Sequence, residues 1–187
     1  MRAILCVLLA AFTCLARADA ALVSQLREGG YVLYMRHAST DFGQNDAKMT
    51  SYEDCASQRN LLDKGRAEAR SVAEHVRRLR IPIGEVLASP FCRTMETARL
   101  AFGSAKSTHE ARGGPARSDD SRYDPLRKLL SSPVRERNLV IVSHGNPFHA
   151  VAGPPYLAEG EIAVVRPNGK GFSVLGRIRV EDWPALQ

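Results

Sequence analysis

Basic and imidazole side chains follow three apolar stretches of the sequence, each at a point where a strand is expected to end. Arg36 and His37 come directly after "YVLYM", Arg93 follows "EVLAS" by four residues, and His144 comes directly after "NLVIVS". Because the carboxyl ends of parallel strands lie at one edge of a sheet, we expect these four side chains to converge there. Taken singly each is more often structural, but three such strand ends together indicate a site.

This set of residues suits phosphoryl transfer, in which the charge on three equatorial oxygens must be balanced by positioned donors. A guanidinium group pairs with two oxygens at once and stays charged at any relevant pH. A neutral imidazole can approach a phosphate as a nucleophile. Arg93 is expected in the first turn of a helix that follows Pro90, where free backbone N–H groups also favour anions.

The elements that must position these residues alternate between strands and helices. The two wholly apolar stretches favour strands covered on both faces, as in a parallel sheet. "LLDKGRAEARSVAEHVRRLR" has helical spacing with Asp63 as a plausible N-cap, and Ser89 is a plausible N-cap for the next helix. "EIAVVRPNGKGFSVLGRIRV" predicts two strands joined by an Asn-Gly turn. We expect a single α/β domain, a three-layer αβα sandwich with a mostly parallel central sheet and a C-terminal β-hairpin.

The first 20 residues have the anatomy of a secretory signal peptide, with an early arginine, a short apolar core and two A-x-A sites. Cleavage is possible at Ala16-Arg17-Ala18 or at Ala18-Asp19-Ala20. We therefore expect residues 1–20 to be a signal peptide and residues 21–187 to form the domain, without a transmembrane segment after cleavage; the alternative is a retained amphipathic anchor. The expected location is the periplasm.

Composition narrows the partners without choosing one. The net charge is +6 and the isoelectric point is about 9.4. Few aromatic residues lie among the scattered basic ones, so no nucleic-acid partner is expected. Small phosphorylated substrates and the phosphosugars of a cell envelope both suit this charge. The sequence does not indicate an oligomeric state.

Two cysteines, Cys55 and Cys92, remain after removal of the signal peptide. In an oxidising compartment they are good candidates for one disulfide, and the alternative is a pair of unpaired core residues. No C-x-x-C or Cys/His cluster indicates a metal site.

Three motifs, "LYMRHAST", "LASPFCRTMETA" and "VIVSHGN", resemble in this order the histidine phosphatase superfamily, which includes phosphoglycerate mutases and acid phosphatases. "RNLLDKGRAEA" resembles the entry to the first long helix of that family. The resemblance covers essentially the whole chain after the signal peptide, and the combination of motifs is specific.

The resemblance implies a role for each matched residue. His37 would attack phosphorus to form a phosphohistidine, Arg36 and Arg93 would clamp the phosphoryl oxygens, and His144 would add a donor. Because side chains supply the positive charge, no metal and no other cofactor are expected. One departure is Ala38, where the family usually has glycine after its nucleophile.

Further residues are expected near the site. Arg59 is expected to line the pocket rim and to contact substrate. A bridge between the two cysteines would tie the loop after the first strand to the wall of the phosphate pocket. Of the remaining histidines, His75 is expected to be structural, His109 to be solvated, and His149 to be within possible reach of the site.

A general acid for the leaving group is harder to assign. Family members often carry it between the second arginine and the second histidine, or directly after that histidine, where this chain has Gly145-Asn146. Some relatives lack the acid and act on good leaving groups such as phosphohistidine. The first candidate in this sequence is Glu161, and the alternatives are Glu159, Asp119, Asp120 and Glu110.

The expected function is therefore metal-independent hydrolysis of a phosphomonoester through a phosphohistidine, with envelope sugar phosphates or phosphohistidine as candidate substrates. A non-catalytic phosphate- or phosphosugar-binding protein of the envelope is the alternative. A third reading is a basic envelope-binding protein that is held by charge alone.

Overall fold

A six-stranded sheet lies at the centre of the computed structural model, which describes residues 20–113 and 120–187. Its strands are β1 (Val32–Arg36), β2 (Ile83–Ala88), β3 (Lys106–Ser107), β4 (Asn138–Ser143), β5 (Ile162–Pro167) and β6 (Phe172–Ile178). The helices are α1 (residues 20–28), α2 (Asp63–Arg78), α3 (Cys92–Phe102), α4 (Asp124–Ser131) and α5 (Gly145–Ala152).

The strand order is β3-β2-β4-β1-β5-β6, and the pairs β3–β2, β2–β4 and β4–β1 are parallel. β5 runs antiparallel to β1, and β6 pairs with β5 as a terminal hairpin. The predicted α/β class, the mostly parallel sheet and the C-terminal hairpin are confirmed.

Both faces of the sheet are covered, which explains why β1 and β4 are continuously apolar. Leu33 and Met35 of β1 pack in a core with buried residues of α1, α2 and α3. Val32 and Tyr34, which alternate with them, pack in a second core with buried residues of α4 and α5. This alternation is the two-residue period of a strand, and it produces the three layers.

Two helices begin at positions that differ from the sequence prediction. α2 takes Leu62 as its N-cap and Asp63 as its first residue, and α3 begins at Cys92 with Phe91 as its N-cap. The hydroxyl of Ser89 is not available as a cap because it hydrogen bonds with the His144 imidazole. The predicted N-cap roles of Asp63 and Ser89 were therefore wrong.

The polar stretch 103–120 has no strand pattern in the sequence, yet its described part contains β3. Leu87 and Ala88 of β2 pair with Lys106 and Ser107 of β3. Such a short, exposed and polar strand carries no hydrophobic pattern that could reveal it.

No helix among residues 20–113 and 120–187 is long and apolar enough to cross a membrane. Residues 1–19 lie outside the described residues, so the signal peptide stays a prediction.

Gly65, in the first turn of α2, lies against the chain that follows β1. A Cβ atom at this position would approach the backbone N of Ser39 at 2.9 Å and would come still closer to its carbonyl oxygen. Across the same contact, Leu62 N–H donates to the Ser39 carbonyl. The glycine therefore lets α2 press on the segment directly after His37.

We predict that Gly65→Ala lowers the free energy of unfolding by about 1–3 kcal/mol, because rigid backbone rather than a flexible side chain must move aside. Urea unfolding measures the effect. Gly171→Ala is the matched control, since a Cβ there would meet its nearest neighbour at an ordinary 3.8 Å. Equal stability of the two variants would contradict this account of the contact.

Candidate active site

The pairing of β1 with β4 brings the two histidines together. Arg36 is the register partner of Ser143, and the next residue, His37, donates its backbone N–H to the Ser143 carbonyl at 2.9 Å. His37 and His144 therefore leave neighbouring parallel strands at the same level. Their ring centroids lie 5.4 Å apart at an interplanar angle of 69°.

One cavity of about 340 Å³ joins the residues that the motifs singled out. Arg36, His37 and His144 enter it from the ends of β1 and β4, Arg93 from the first turn of α3, and Arg59 from the loop before α2. The structure therefore brings together all five of these predicted residues. The cavity is completed by Asp46, Phe91, Gly113, Gly145, Asn146 and Tyr156.

One ring nitrogen of His37, Nδ1, is engaged in a hydrogen bond. Its Nδ1 lies 2.9 Å from the carbonyl oxygen of Ala38, and a carbonyl can only accept, so Nδ1 carries the proton and Nε2 carries the lone pair. Burial, reinforced by the positive charges of Arg93, Arg36 and Arg59, lowers the pKa of His37 to about 3. The ring is therefore neutral near pH 7.

Ala38, the departure from the family pattern, does not enter the cavity. The residue is fully buried, and its backbone N–H donates to the Thr97 hydroxyl at 3.1 Å. The additional methyl group relative to glycine is therefore accommodated by the core beside α3, and the structure gives no sign that it narrows the space at His37.

His144 is fixed from two sides. Its Nε2 lies 2.9 Å from the Ser89 hydroxyl, and its carbonyl accepts a hydrogen bond from the buried Tyr34 hydroxyl at 2.8 Å. A Cβ atom at Gly113 would lie 2.6 Å from the His144 ring, so the glycine allows the chain to pass directly across the imidazole. Burial, followed by the proximity of His37, lowers the pKa of His144 well below its usual value.

The three arginines of the cavity differ in which of their donors are hydrogen bonded. Arg36 is anchored through the Leu157 carbonyl at 2.8 Å and the Glu159 carboxylate at 3.4 Å. The Nε atoms of Arg36, Arg59 and Arg93 are buried, and within the described part of the chain they have no hydrogen-bond partner. A buried donor without a partner costs roughly 1–3 kcal/mol.

Each of these guanidinium groups also lies against an aromatic ring, which limits its rotation and keeps it over the cavity. The pairs, with the distance from guanidinium carbon to ring centroid, are Arg36 with Tyr156 (5.4 Å), Arg59 with Phe42 (4.9 Å) and Arg93 with Phe91 (4.5 Å). Phe42 is 71% exposed, so this ring also forms part of the outer surface beside the cavity.

The geometry does not support Glu161 as the acid. Its carboxylate accepts a hydrogen bond from the Ala158 N–H at 2.6 Å and does not line the cavity, so it stabilises the turn before β5. Glu159 is bound to Arg36 and to the Thr40 hydroxyl, and its nearest carboxylate oxygen lies 3.9 Å from Nδ1 of His37. Glu159 therefore helps to position the chain at the end of β1.

The remaining acid candidates do not supply a described donor either. Glu110 is exposed, and its carboxylate is hydrogen bonded to the Thr108 hydroxyl outside the cavity. Asp119 lies outside the described residues, and the side chain of Asp120 is likewise not described. As candidates for the acid, both stay predictions.

Sequence reasoning missed three polar residues of the cavity, Asp46, Asn146 and Tyr156. Asp46 is one of several acidic residues in the polar loop between β1 and α2, and no pattern distinguishes it. Tyr156 reaches the cavity because Gly145 has no side chain, since a Cβ there would collide with the tyrosine ring. The close pair Gly145 and Tyr156 is visible only in three dimensions.

The other three histidines lie outside the cavity lining. The His75 ring stacks on Trp183 at 6.3 Å, in agreement with a structural role, and His109 is exposed beside Tyr52. His149 is exposed and contacts Tyr156 at 5.6 Å between ring centroids. In the described residues, no three His, Cys, Asp or Glu side chains are grouped in a way that would hold a metal ion.

Cys55 and Cys92 lie side by side in the geometry of a disulfide, with their Cα atoms 5.7 Å apart. Gln58 adds a second tie between the same segments, because its side-chain oxygen accepts a hydrogen bond from the Cys92 N–H at 2.9 Å. These contacts place the loop that carries Arg59 beside the helix start that carries Arg93, and the bridge itself stays a prediction.

Comparison with known proteins agrees with this geometry. The family model of the histidine phosphatase superfamily (branch 1) matches residues 32–114, which contain β1, the loop with Arg59, and α3. The family resemblance that the sequence motifs predicted is therefore supported over residues 32–114. The match supports the prediction of a phosphatase. No curated protein matches the chain.

Solved structures of the superfamily share the fold at low sequence identity. The protein histidine phosphatase SixA, complexed with tungstate, is 19% identical with a TM-score of 0.57, and the match covers 81% of this chain and 98% of SixA. A variant phosphoserine phosphatase from Entamoeba histolytica, in complex with phosphoserine, is 12% identical with a TM-score of 0.56 and coverages of 81% and 98%. A mycobacterial glucosyl-3-phosphoglycerate phosphatase is 17% identical with a TM-score of 0.56 and coverages of 78% and 96%.

We predict that stability falls as the pH drops below about 6.5. His37 binds its proton at about pH 6.5 in the unfolded chain but only at about pH 3 in the folded one, so acid favours the unfolded state. Between these values each such histidine contributes a slope of up to about 1.4 kcal/mol per pH unit. Urea unfolding at pH 7 and pH 5 measures the loss.

His37→Gln should flatten this pH dependence, whereas the matched variant His109→Gln, at an exposed ring outside the cavity, should leave it as in the wild type. If the two variants show the same slope, burial of a neutral His37 is not its source.

We also predict that the protein recovered from an oxidising compartment contains the Cys55–Cys92 bridge. The double variant Cys55→Ser/Cys92→Ser should lose about 2–4 kcal/mol in free energy of unfolding, because the unfolded chain is no longer constrained. Mass spectrometry after alkylation without reductant identifies the bridge. Two alkylated cysteines in that experiment would refute it.

Proposed function

We propose that the protein is a metal-independent phosphomonoester hydrolase that works through a phosphohistidine on His37. The observation that carries the proposal is a neutral imidazole, with Nε2 unprotonated, in a cavity lined by three arginines. Such a cavity combines a nucleophile with the donors that a phosphoryl group requires.

The first step follows from this arrangement. Nε2 of His37 attacks phosphorus while the bond from phosphorus to the leaving oxygen or nitrogen breaks. Arg36, Arg59 and Arg93 balance the charge on the phosphoryl oxygens, and His144 contributes one further hydrogen bond. Because burial keeps His37 neutral, its lone pair is available without prior deprotonation.

In the second step a water molecule attacks the phosphohistidine, the N–P bond breaks, and inorganic phosphate leaves. The Ala38 carbonyl holds Nδ1–H throughout, so it stabilises the positive charge that develops on the imidazole during the first step. The return of Nε2 to its neutral state completes the cycle.

The proton for the leaving group bears on the choice of substrate. Among the described residues that line the cavity, Asp46 alone carries a carboxyl group, and it is paired with Arg93. A site of this kind favours leaving groups that depart without strong assistance, such as an imidazole or an aryl oxide. Phosphohistidine is therefore our first substrate candidate, and envelope sugar phosphates, which need an acid from the segment containing Asp119 and Asp120, are the second.

We further propose that the protein acts in the periplasm. The signal-like residues 1–20 and the disulfide geometry of Cys55 with Cys92 support an exported protein. The charge of +6 suits anionic substrates of the envelope. The proposed chain consists of a signal peptide, residues 1–20, and one catalytic domain, residues 21–187.

The test is hydrolysis of p-nitrophenyl phosphate by the protein without its signal segment, in the presence of EDTA. We expect turnover that survives chelation, falls by at least about a thousandfold in His37→Ala, and falls by about a hundredfold or more in Arg93→Ala. His109→Ala, at the exposed ring outside the cavity, is the matched control and should keep wild-type turnover.

Acid-quenched protein should in addition carry phosphate on His37, detected by mass spectrometry after labelling with substrate. Loss of activity in EDTA, or full activity in His37→Ala, would refute the mechanism. Binding of vanadate without any turnover would instead favour the non-catalytic phosphate-binding protein.

A further inference from the structure

Asp46 already occupies part of the anion site. Its two carboxylate oxygens accept hydrogen bonds from both terminal nitrogens of Arg93, at 3.0 and 3.1 Å. Oδ1 also accepts the backbone N–H of Arg59 at 2.9 Å. The carboxylate thus makes on Arg93 the two-pronged contact that a pair of phosphoryl oxygens would make.

The loop that carries Asp46 is fastened to the same wall. Arg93 donates to the carbonyl of Arg59 at 3.3 Å, and the Cys55–Cys92 pair and Gln58 tie the following part of the loop to the start of α3. The Asp46 side chain itself is 32% exposed, whereas the Arg93 side chain is 6% exposed. The carboxylate can therefore withdraw into solvent, while the guanidinium group stays in the cavity wall.

We propose that Asp46 is an intramolecular competitor for Arg93, a carboxylate that every phosphoryl ligand must displace before the full set of donors is available. The proposal deepens the function proposed above, because it concerns the same phosphoryl site. The competitor weakens the binding of substrate and of inorganic phosphate by the same factor, which equals the inverse of the fraction of molecules in which Arg93 is released.

The advantage of such a competitor lies in product release. Inorganic phosphate contacts the same arginines as the substrate's phosphoryl group, so three guanidinium groups without a counter-charge would retain the product. When phosphate begins to leave, the Asp46 carboxylate returns to the Arg93 fork and replaces its hydrogen bonds. Arg93 therefore exchanges one anion for another and is not left buried without a partner.

The experiment measures the affinity for inorganic phosphate itself, by calorimetric titration of the signal-less protein with inorganic phosphate. We expect the dissociation constant to fall by about tenfold in Asp46→Asn, and at least as much in Asp46→Ala, relative to the wild type. In hydrolysis assays the same variants should show a lower KM and stronger inhibition by phosphate.

Asp41→Asn is the matched control, because it removes the same charge from the same loop. Within the described part of the chain, the Asp41 carboxylate accepts a hydrogen bond only from the nearby Gly43 N–H at 2.8 Å, and Asp41 does not line the cavity. Its phosphate affinity should stay within about twofold of the wild type. An equal gain in both variants would show a general field effect and would overturn the competition.

Unchanged or weaker phosphate binding in both Asp46 variants would also overturn the inference, since Asp46 would then support Arg93 rather than compete for it. A crystal structure with vanadate in the cavity and Asp46 still on both terminal nitrogens of Arg93 would do the same. Tighter phosphate binding in the Asp46 variants of a protein without turnover would sustain the inference and refute the proposed hydrolysis. Hydrolysis through His37 with no gain in phosphate affinity would refute the inference alone.

Discussion

The in-register parallel pairing of β1 with β4 is the constraint on which the site depends. Because Arg36 stands opposite Ser143, the residues after the two strands leave the sheet side by side, and one hydrogen bond from His37 N–H to the Ser143 carbonyl fixes their level. A shift of one residue would turn the imidazoles to opposite faces. The apolar residues of both strands, buried in two cores, prevent that shift.

The cavity beside these two strands brings several positive charges close together. Three guanidinium groups share a cavity of about 340 Å³, and like charges so close together repel one another. Glu159 offsets Arg36, Asp46 offsets Arg93, and aromatic rings lie against all three. The two histidines stay neutral because burial and the arginines disfavour a further positive charge. The same balance that lets three arginines share the cavity keeps the His37 ring neutral, as its proposed role as a nucleophile requires.

The parts of the fold and site that the sequence predicted are those that local pattern determines. Unbroken apolar strands imply a covered parallel sheet, and its geometry then carries Arg36, His37 and His144 to one edge. Asp46 could not be predicted, because its position depends on how a polar loop folds back onto α3. Glu161 was a reasonable candidate from its place before β5, yet its carboxylate is used by a turn, which only the folded backbone reveals.

The link between Cys55 and Cys92 bears on when, during the proposed export, the site becomes fully constrained. A bridge between the two cysteines ties the loop of Asp46 and Arg59 to the helix of Arg93. It therefore restricts the movement of these residues relative to one another. Under the proposed export, the thiols stay reduced in the cytosol and the bridge forms only after translocation. The loop of Asp46 and Arg59 would then be tied to the helix of Arg93 only in the compartment where the protein is proposed to act.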